Sequence, residues 1–180
     1  MLKKILLVLV AVVAVYCGYI ATLPSSFSVA RSTTISAAPD AVFANVNNFR
    51  KWDDWSPWAK RDPNAKTNYE GPEEGKGAKF SWAGNSEIGK GKMEIEQSTP
   101  SELIKIRLDF EEPFPGTSYA SFQFKPNGTD TEVTWTLSGD QSFTERFFTT
   151  LFGVDLEAMI GQEYETGLAN LKRVVEGQSG

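Results

Sequence analysis

Few side chains in this sequence are equipped for chemistry. The 180 residues include no histidine. That removes the commonest general base and metal ligand, and with them every Ser-His or Cys-His nucleophile scheme. The single cysteine, Cys17, sits inside a hydrophobic run, so no intrachain disulfide can form. No Cys/His/Asp cluster has the spacing of a metal site, and neither a metal nor a cofactor is expected. Three features remain: a tryptophan string, a pair of adjacent aspartates and one glutamate in an apolar setting.

Glu163 is the best-placed acid. Projected at about 100° per residue on a helix, it falls between Leu156 and Met159 within an apolar stripe, with Gly167 one turn later. A carboxyl group there is poorly solvated, which favours its protonated form and suits a general acid or a hydrogen-bond partner for a ligand. The competing reading places it at a rim in water, or in an ion pair with a strand Lys or Arg. Asp53 and Asp54 look like paired carboxylates, but neighbours on a helix diverge by about 100° and do not share a proton.

Trp52, Trp55 and Trp58 occur within Trp52-Asp-Asp-Trp55-Ser-Pro-Trp58. Either they wall the mouth of a cavity and touch an apolar ligand, or they staple a short helix to a sheet. Gly71-Pro-Glu-Glu-Gly75-Lys76-Gly77 imitates a phosphate loop, but it is one residue short and no Ser or Thr follows the lysine, so it reads as an inter-strand turn. Gly89-Lys90-Gly91 lacks the third glycine of a dinucleotide fingerprint.

These groups must be positioned by the rest of the chain, which opens with an uncharged run. Ile5 to Leu23 follows Lys3 and Lys4 and carries no charge, long enough at about 1.5 Å per residue to cross a bilayer core of about 30 Å. It is longer than the apolar region of a cleaved leader, usually about 7–15 residues, and so reads as an anchor, with secretion after cleavage as the alternative. Lysines on the N-terminal flank place the N-terminus in the cytoplasm and the domain on the extracytoplasmic side. Residues 1–26 are thus anchor and linker, 27–176 one domain, and 177–180 a tail.

Composition limits the partners. At 41% hydrophobic and 23% charged residues the chain is globular, and its 5 Trp and 12 Phe require a core or a pocket to hold them. Setting aside Lys3 and Lys4 leaves 16 basic against 23 acidic residues, a net charge of −7. Such a domain has no field for collecting phosphates, which argues against nucleic acid.

Phe27 to Ser36 reads as a strand, Pro39-Asp40 opens a helix buried through Val42, Phe43 and Val46, and a second short helical piece covers Phe49 to Trp58. From about residue 66 the period becomes two. Phe80 and Trp82, Met93 and Ile95, Ile104 to Phe110 on alternate positions, Ala120 to Phe124, and Val133, Trp135 and Leu137 mark successive strands with one apolar face. Asn127-Gly128 predicts a tight hairpin. Ser142-Phe-Thr-Glu145 predicts a capping box, Gly153 a break, and Asp155 to Glu176 a long amphipathic helix. The fold class is α+β: a curved antiparallel sheet of about seven strands wrapped around the C-terminal helix, with two short helices after the first strand.

That order, with Ile35-Ser-Ala-Ala-Pro39-Asp-Ala-Val-Phe43, the tryptophan string and Gly167-Leu-Ala-Asn-Leu-Lys172, resembles the START-like or SRPBCC superfamily with its helix-grip fold, in the polyketide cyclase/dehydrase-like branch. The resemblance covers residues 27–176. It implies a cavity for a hydrophobic, lipid-like or polycyclic small molecule. Trp52, Trp55, Trp58, Phe80, Trp82, Phe110, Phe122, Trp135, Met159 and Glu163 are the candidate lining. Fold alone does not assign a function. A cyclase or hydratase using cavity acids, with Glu163 the candidate catalytic residue, is the alternative, and a protein-interaction module at the membrane is another. The residues favour binding over catalysis, with the membrane engaged through residues 5–23.

Overall fold

A computed structural model describes residues 1–177; residues 178–180, the end of the expected tail, lie outside the described residues. Helix α1 (Leu2–Thr22) precedes β1 (Ser26–Ile35), α2 (Pro39–Val46) and a 3-10 helix (Phe49–Asp54). Six strands follow: β2 (Lys66–Glu70), β3 (Lys79–Ala83), β4 (Lys90–Thr99), β5 (Leu103–Glu112), β6 (Gly116–Asn127) and β7 (Asp130–Asp140). Helices α3 (Phe143–Leu151) and α4 (Leu156–Val175) close the chain. Among the described residues the strands form one antiparallel sheet in the order β1-β7-β6-β5-β4-β3-β2, which is the expected helix-grip α+β fold.

Local signals set these boundaries. Pro39 occupies the first turn of α2 with Asp40 beside it, where its missing N–H costs nothing and the acid faces the positive end of the helix. Gly128 takes φ +65° in the turn joining β6 to β7, a conformation glycine adopts without a Cβ penalty. At α3 the capping box forms in full, with the Ser142 hydroxyl accepting from Glu145 N–H and the Glu145 carboxylate accepting from Ser142 N–H at 2.6 Å. Register shifts in β4 at Lys90/Gly91 and Ile95/Gln97 mark irregularities of the kind that bend a strand and help a sheet curve around a helix.

The inner face is read as rows running across the strands. Arg31, Trp135, Phe122 and Ile104 pair in one row, and Val29, Leu137, Ala120, Ile106 and Ile95 in the next. Helix α4 lies across the first of these and is held to the edge strand by charge: Arg31 meets Glu157 at 3.0 Å and Glu165 at 2.7 Å. Gly161 lies between those two acids on the helix, and a Cβ there would stand 2.0 Å from the Arg31 guanidinium. Further along, Lys172 Nζ donates to the Thr34 carbonyl at 2.8 Å and the Glu176 carboxylate accepts from Ser36 N–H, so α4 passes Arg31 at Gly161 and runs on toward the far end of β1. Tyr164, Leu168 and Leu171 point into the core against the sheet and α2.

Helix α1 is almost wholly exposed until its last turns, where Ile20 is fully buried. There it packs on α3. The Tyr16 ring meets Phe147 edge-on at 4.9 Å, and the Tyr16 hydroxyl donates to the Phe147 carbonyl at 3.0 Å.

Candidate functional site

Aromatic rings fill the space between α4 and the sheet. Trp135 stacks on Tyr164, with centroids 3.8 Å apart, and on Phe122 at 4.7 Å, while Trp52 and Trp55 meet both Trp135 and Phe122 edge-on. The indole N–H of Trp52 donates to the Val46 carbonyl at 2.9 Å and that of Trp55 to the Asn45 carbonyl at 3.2 Å, which pins the 3-10 helix onto α2. Trp58 is half-buried and lies edge-on to Trp135 and Tyr164. The rings therefore pack as a sealed core in this state. Burial pushes the Tyr164 phenol far above the usual tyrosine range. The Trp135 Nε1 donor is buried without a hydrogen-bond partner among the described residues.

The other end of the inner face is less fully covered. Arg31 stands opposite Gly161, about 7.5 Å in from the helix start at Leu156 (five residues at about 1.5 Å), and the row at Phe27 lies about 13 Å from Arg31, four residues at about 3.3 Å each. That row runs Phe27, Gly139, Ser118, Leu108, Met93, Phe80 and Tyr69 across all seven strands. One rung further out lie Gly116, Phe110, Gly91 and Trp82. Phe27, Leu108, Phe80 and Trp82 are only partly covered and Phe110 is 36% exposed, in contrast to the sealed Trp135 row. The Trp82 ring occupies the space over Gly91, where a Cβ would come within 2.6 Å of it, and its N–H donates to the Ile88 carbonyl at 2.9 Å. Phe27 lies over Gly139 in the same way. Between these rings, Leu108, Ser118 and Phe110 form a partly covered apolar strip, the trough, in which Ser118 and the neighbouring Met93 are buried.

Glu163 sits elsewhere. Its carboxylate meets the Arg61 guanidinium at 2.5 Å, the two side chains being 26% and 33% exposed. Arg61 comes from the loop after the 3-10 helix, whereas the expectation of an ion pair named a strand residue. Both line an open cleft of about 630 Å³ with Asp54, Lys60, Asn170 and Arg173. Of the ten candidate lining residues, Glu163 alone faces this cleft. Phe80, Trp82 and Phe110 lie along the trough, Met159 is exposed near the start of α4, and Trp52, Trp55, Trp58, Phe122 and Trp135 belong to the core. Sequence reasoning does not single out Phe27, Leu108 or Ser118 as lining. The available signal is Ser118, a small residue at an inward-facing strand position; the space over Gly91 and Gly139 is taken by the Trp82 and Phe27 rings.

Residues 26–176 match the family model described as polyketide cyclase/dehydrase and lipid transport. No curated protein matches the sequence. Among solved structures, the chain is similar to a protein of unknown function from Staphylococcus aureus, with TM-score 0.62, 13% identity, and 86% and 96% of the two chains covered. It is also similar to the Aha1 dimer from Colwellia psychrerythraea, with TM-score 0.61, 17% identity and coverage of 86% and 99%. A protein from Thermus thermophilus gives TM-score 0.59 at 16% identity, with coverage of 86% and 100%. At these identities the structural likeness establishes the fold.

Proposed function

The chain belongs to the polyketide cyclase/dehydrase and lipid-transport family, and on that premise we propose that it is a membrane-tethered domain that binds or carries a hydrophobic, lipid-like or polycyclic small molecule in the trough. The observation that carries this reading is the row from Phe27 to Tyr69, only partly covered at Phe27, Leu108, Phe80 and Tyr69 although Met93 and Ser118 within it are buried, in a fold whose next rows are sealed. Concave sites of mostly apolar lining with a few polar groups are where such ligands bind, and Ser118 supplies a hydroxyl in the floor. The cyclase or hydratase alternative loses its best acid from this site, since Glu163 is paired with Arg61 and opens into the other cleft.

Tethering is supported by the way α1 ends. A leader that is cleaved has no reason to be folded into the domain. Here Ile20 is fully buried, and Arg146 of α3 donates from Nη1 to the carbonyls of Ile20 at 3.2 Å and Leu23 at 2.5 Å. A cation on the last carbonyls of a helix also satisfies its negative end. With Lys3 and Lys4 on the opposite flank, the domain lies on the extracytoplasmic side.

The test is native mass spectrometry of the full chain, purified in nanodiscs from its own host, for a small molecule that co-purifies. Ser118→Leu, which fills the trough floor, and Phe110→Asp, which makes its rim polar, are each expected to lower occupancy. Wild-type occupancy in both variants, with circular dichroism unchanged, would sink the trough as the binding site.

A further inference from the structure

Helix α3 is amphipathic but covers no core: none of its residues is buried. Phe148 is 49% exposed, Leu151 53% and Phe152 72%, and Val154 in the following loop is 43% exposed. The Phe148 and Phe152 rings stack on each other, centroids 6.1 Å apart. Contiguous exposed aromatics of this kind mark a surface that meets an apolar partner.

We propose that α3 and the loop to α4 lie in the lipid bilayer interface, with Phe148, Leu151, Phe152 and Val154 inserted beside the end of α1. Three observations select lipid as the partner. First, α3 docks on the apolar helix itself: Phe147 meets Tyr16, seven residues before Leu23. At about 1.5 Å per residue that contact lies about 10 Å inside the end of the apolar run. Interfacial amphipathic helices bury their apolar face about 5–10 Å into the boundary between headgroups and acyl chains, so the depth fits. Second, three polar side chains of α3 bond within the protein, with the Nε of Arg146 buried and without a partner among the described residues. Glu145 caps its own helix, Thr149 Oγ1 donates to the Glu145 carbonyl at 2.8 Å, and Arg146 donates to the end of α1. A helix entering a low-dielectric layer needs its polar groups paired in this way. Third, the strand register brings the start of β1, the end of β7 and the β5–β6 turn to the same end of the sheet. The exposed Phe114 of that turn therefore belongs to the same end of the domain, where Phe27 and Phe110 also lie.

This inference rests on α1 being a retained membrane span, and the experiment separates the two. In a Cys17→Ser background, single cysteines at Phe152, Leu151, Val10 and Thr34 are labelled with an environment-sensitive fluorophore. The full chain is placed in phosphatidylcholine vesicles carrying either shallow or deep spin-labelled lipid. The expected result is quenching of the Phe152 and Leu151 labels by shallow spin label and of the Val10 label by deep spin label. Iodide should reach only the Thr34 label at the far end of β1. Iodide access at Phe152 and Leu151 together with lipid quenching at Val10 overturns the interfacial helix and leaves the span standing. Loss of lipid quenching at Val10 overturns the span. Labels at 151 and 152 shielded from both iodide and lipid indicate a second copy or another protein on this face, and also overturn the proposal.

Discussion

The Glu163 carboxylate lies 2.5 Å from the Arg61 guanidinium, one supplied by the long C-terminal helix and the other by the loop after the tryptophan string. This pair ties α4 to the loop on the side away from β1. It also determines the sign of a substitution that an unpaired buried acid would reverse.

Replacing Glu163 by Gln removes the charge and keeps the shape. Both side chains are partly exposed, so the pair contributes at most about 1 kcal/mol. Glu163→Gln is expected to lower the melting temperature slightly, with the difference shrinking at high salt. A raised melting temperature in thermal denaturation would show that the carboxylate is strained and not paired.

Two glycines of α4 should respond differently to the same added methyl group. In Gly167→Ala the new Cβ would stand 2.7 Å from the Trp135 ring and 3.1 Å from Pro57, both held by the core. Overpacking there costs about 1–3 kcal/mol, against about 0.8–1.0 kcal/mol gained in helix propensity, so the variant is expected to be less stable than wild type. Gly161→Ala meets only the end of Arg31, a flexible side chain that can swing aside at the cost of exposed ion pairs. Chemical denaturation of both variants should therefore rank Gly167→Ala below Gly161→Ala. The opposite order would mean that the Arg31 clamp matters more than the aromatic core.

Stability should fall in alkali through Tyr164. Burial raises its phenol in the folded state, so folding holds a proton that the unfolded chain releases above its ordinary tyrosine value of about 10. The contribution is present in full below pH ~10 and declines as pH rises beyond it. Tyr69 is pushed the same way, by desolvation first and then by Asp53, so wild type and Tyr164→Phe must be compared directly. Denaturant midpoints measured from pH 8 to 11 should fall less steeply for Tyr164→Phe. Equal slopes would place the Tyr164 hydroxyl in water.

Ending the chain at Gly153 should unfold the domain. The truncation removes Tyr164, Leu168 and Leu171 and uncovers Trp135. Each large side chain is worth about 1.5–3 kcal/mol in burial, against a total stability of about 5–15 kcal/mol. A cooperative melting transition in the truncated chain would show that α4 is not what covers the sheet.

The sequence by itself determined the order of elements and the fold class. Alternation in β5 to β7, the capping box at Ser142, Pro39 and the Asn127-Gly128 turn all act within a few residues, so their physics is written locally. It also determined that α1 is long and apolar enough to cross a membrane. Tertiary structure decided which apolar positions are sealed and which are open. Trp135 and Phe110 both face inward on alternating strands, and nothing local separates them. What separates them is how α4 lies on β1, held by contacts of Arg31 with Glu157 and Glu165, distant in sequence. The helical projection placed Glu163 in the apolar stripe, but the Arg61 loop reaches it from outside the helix. Helix α3 is the same case: its capping box is local, but only the packing of Phe147 on Tyr16 brings it to α1. Periodicity specifies which side of an element is apolar, but the partner that side meets depends on where distant segments come to rest.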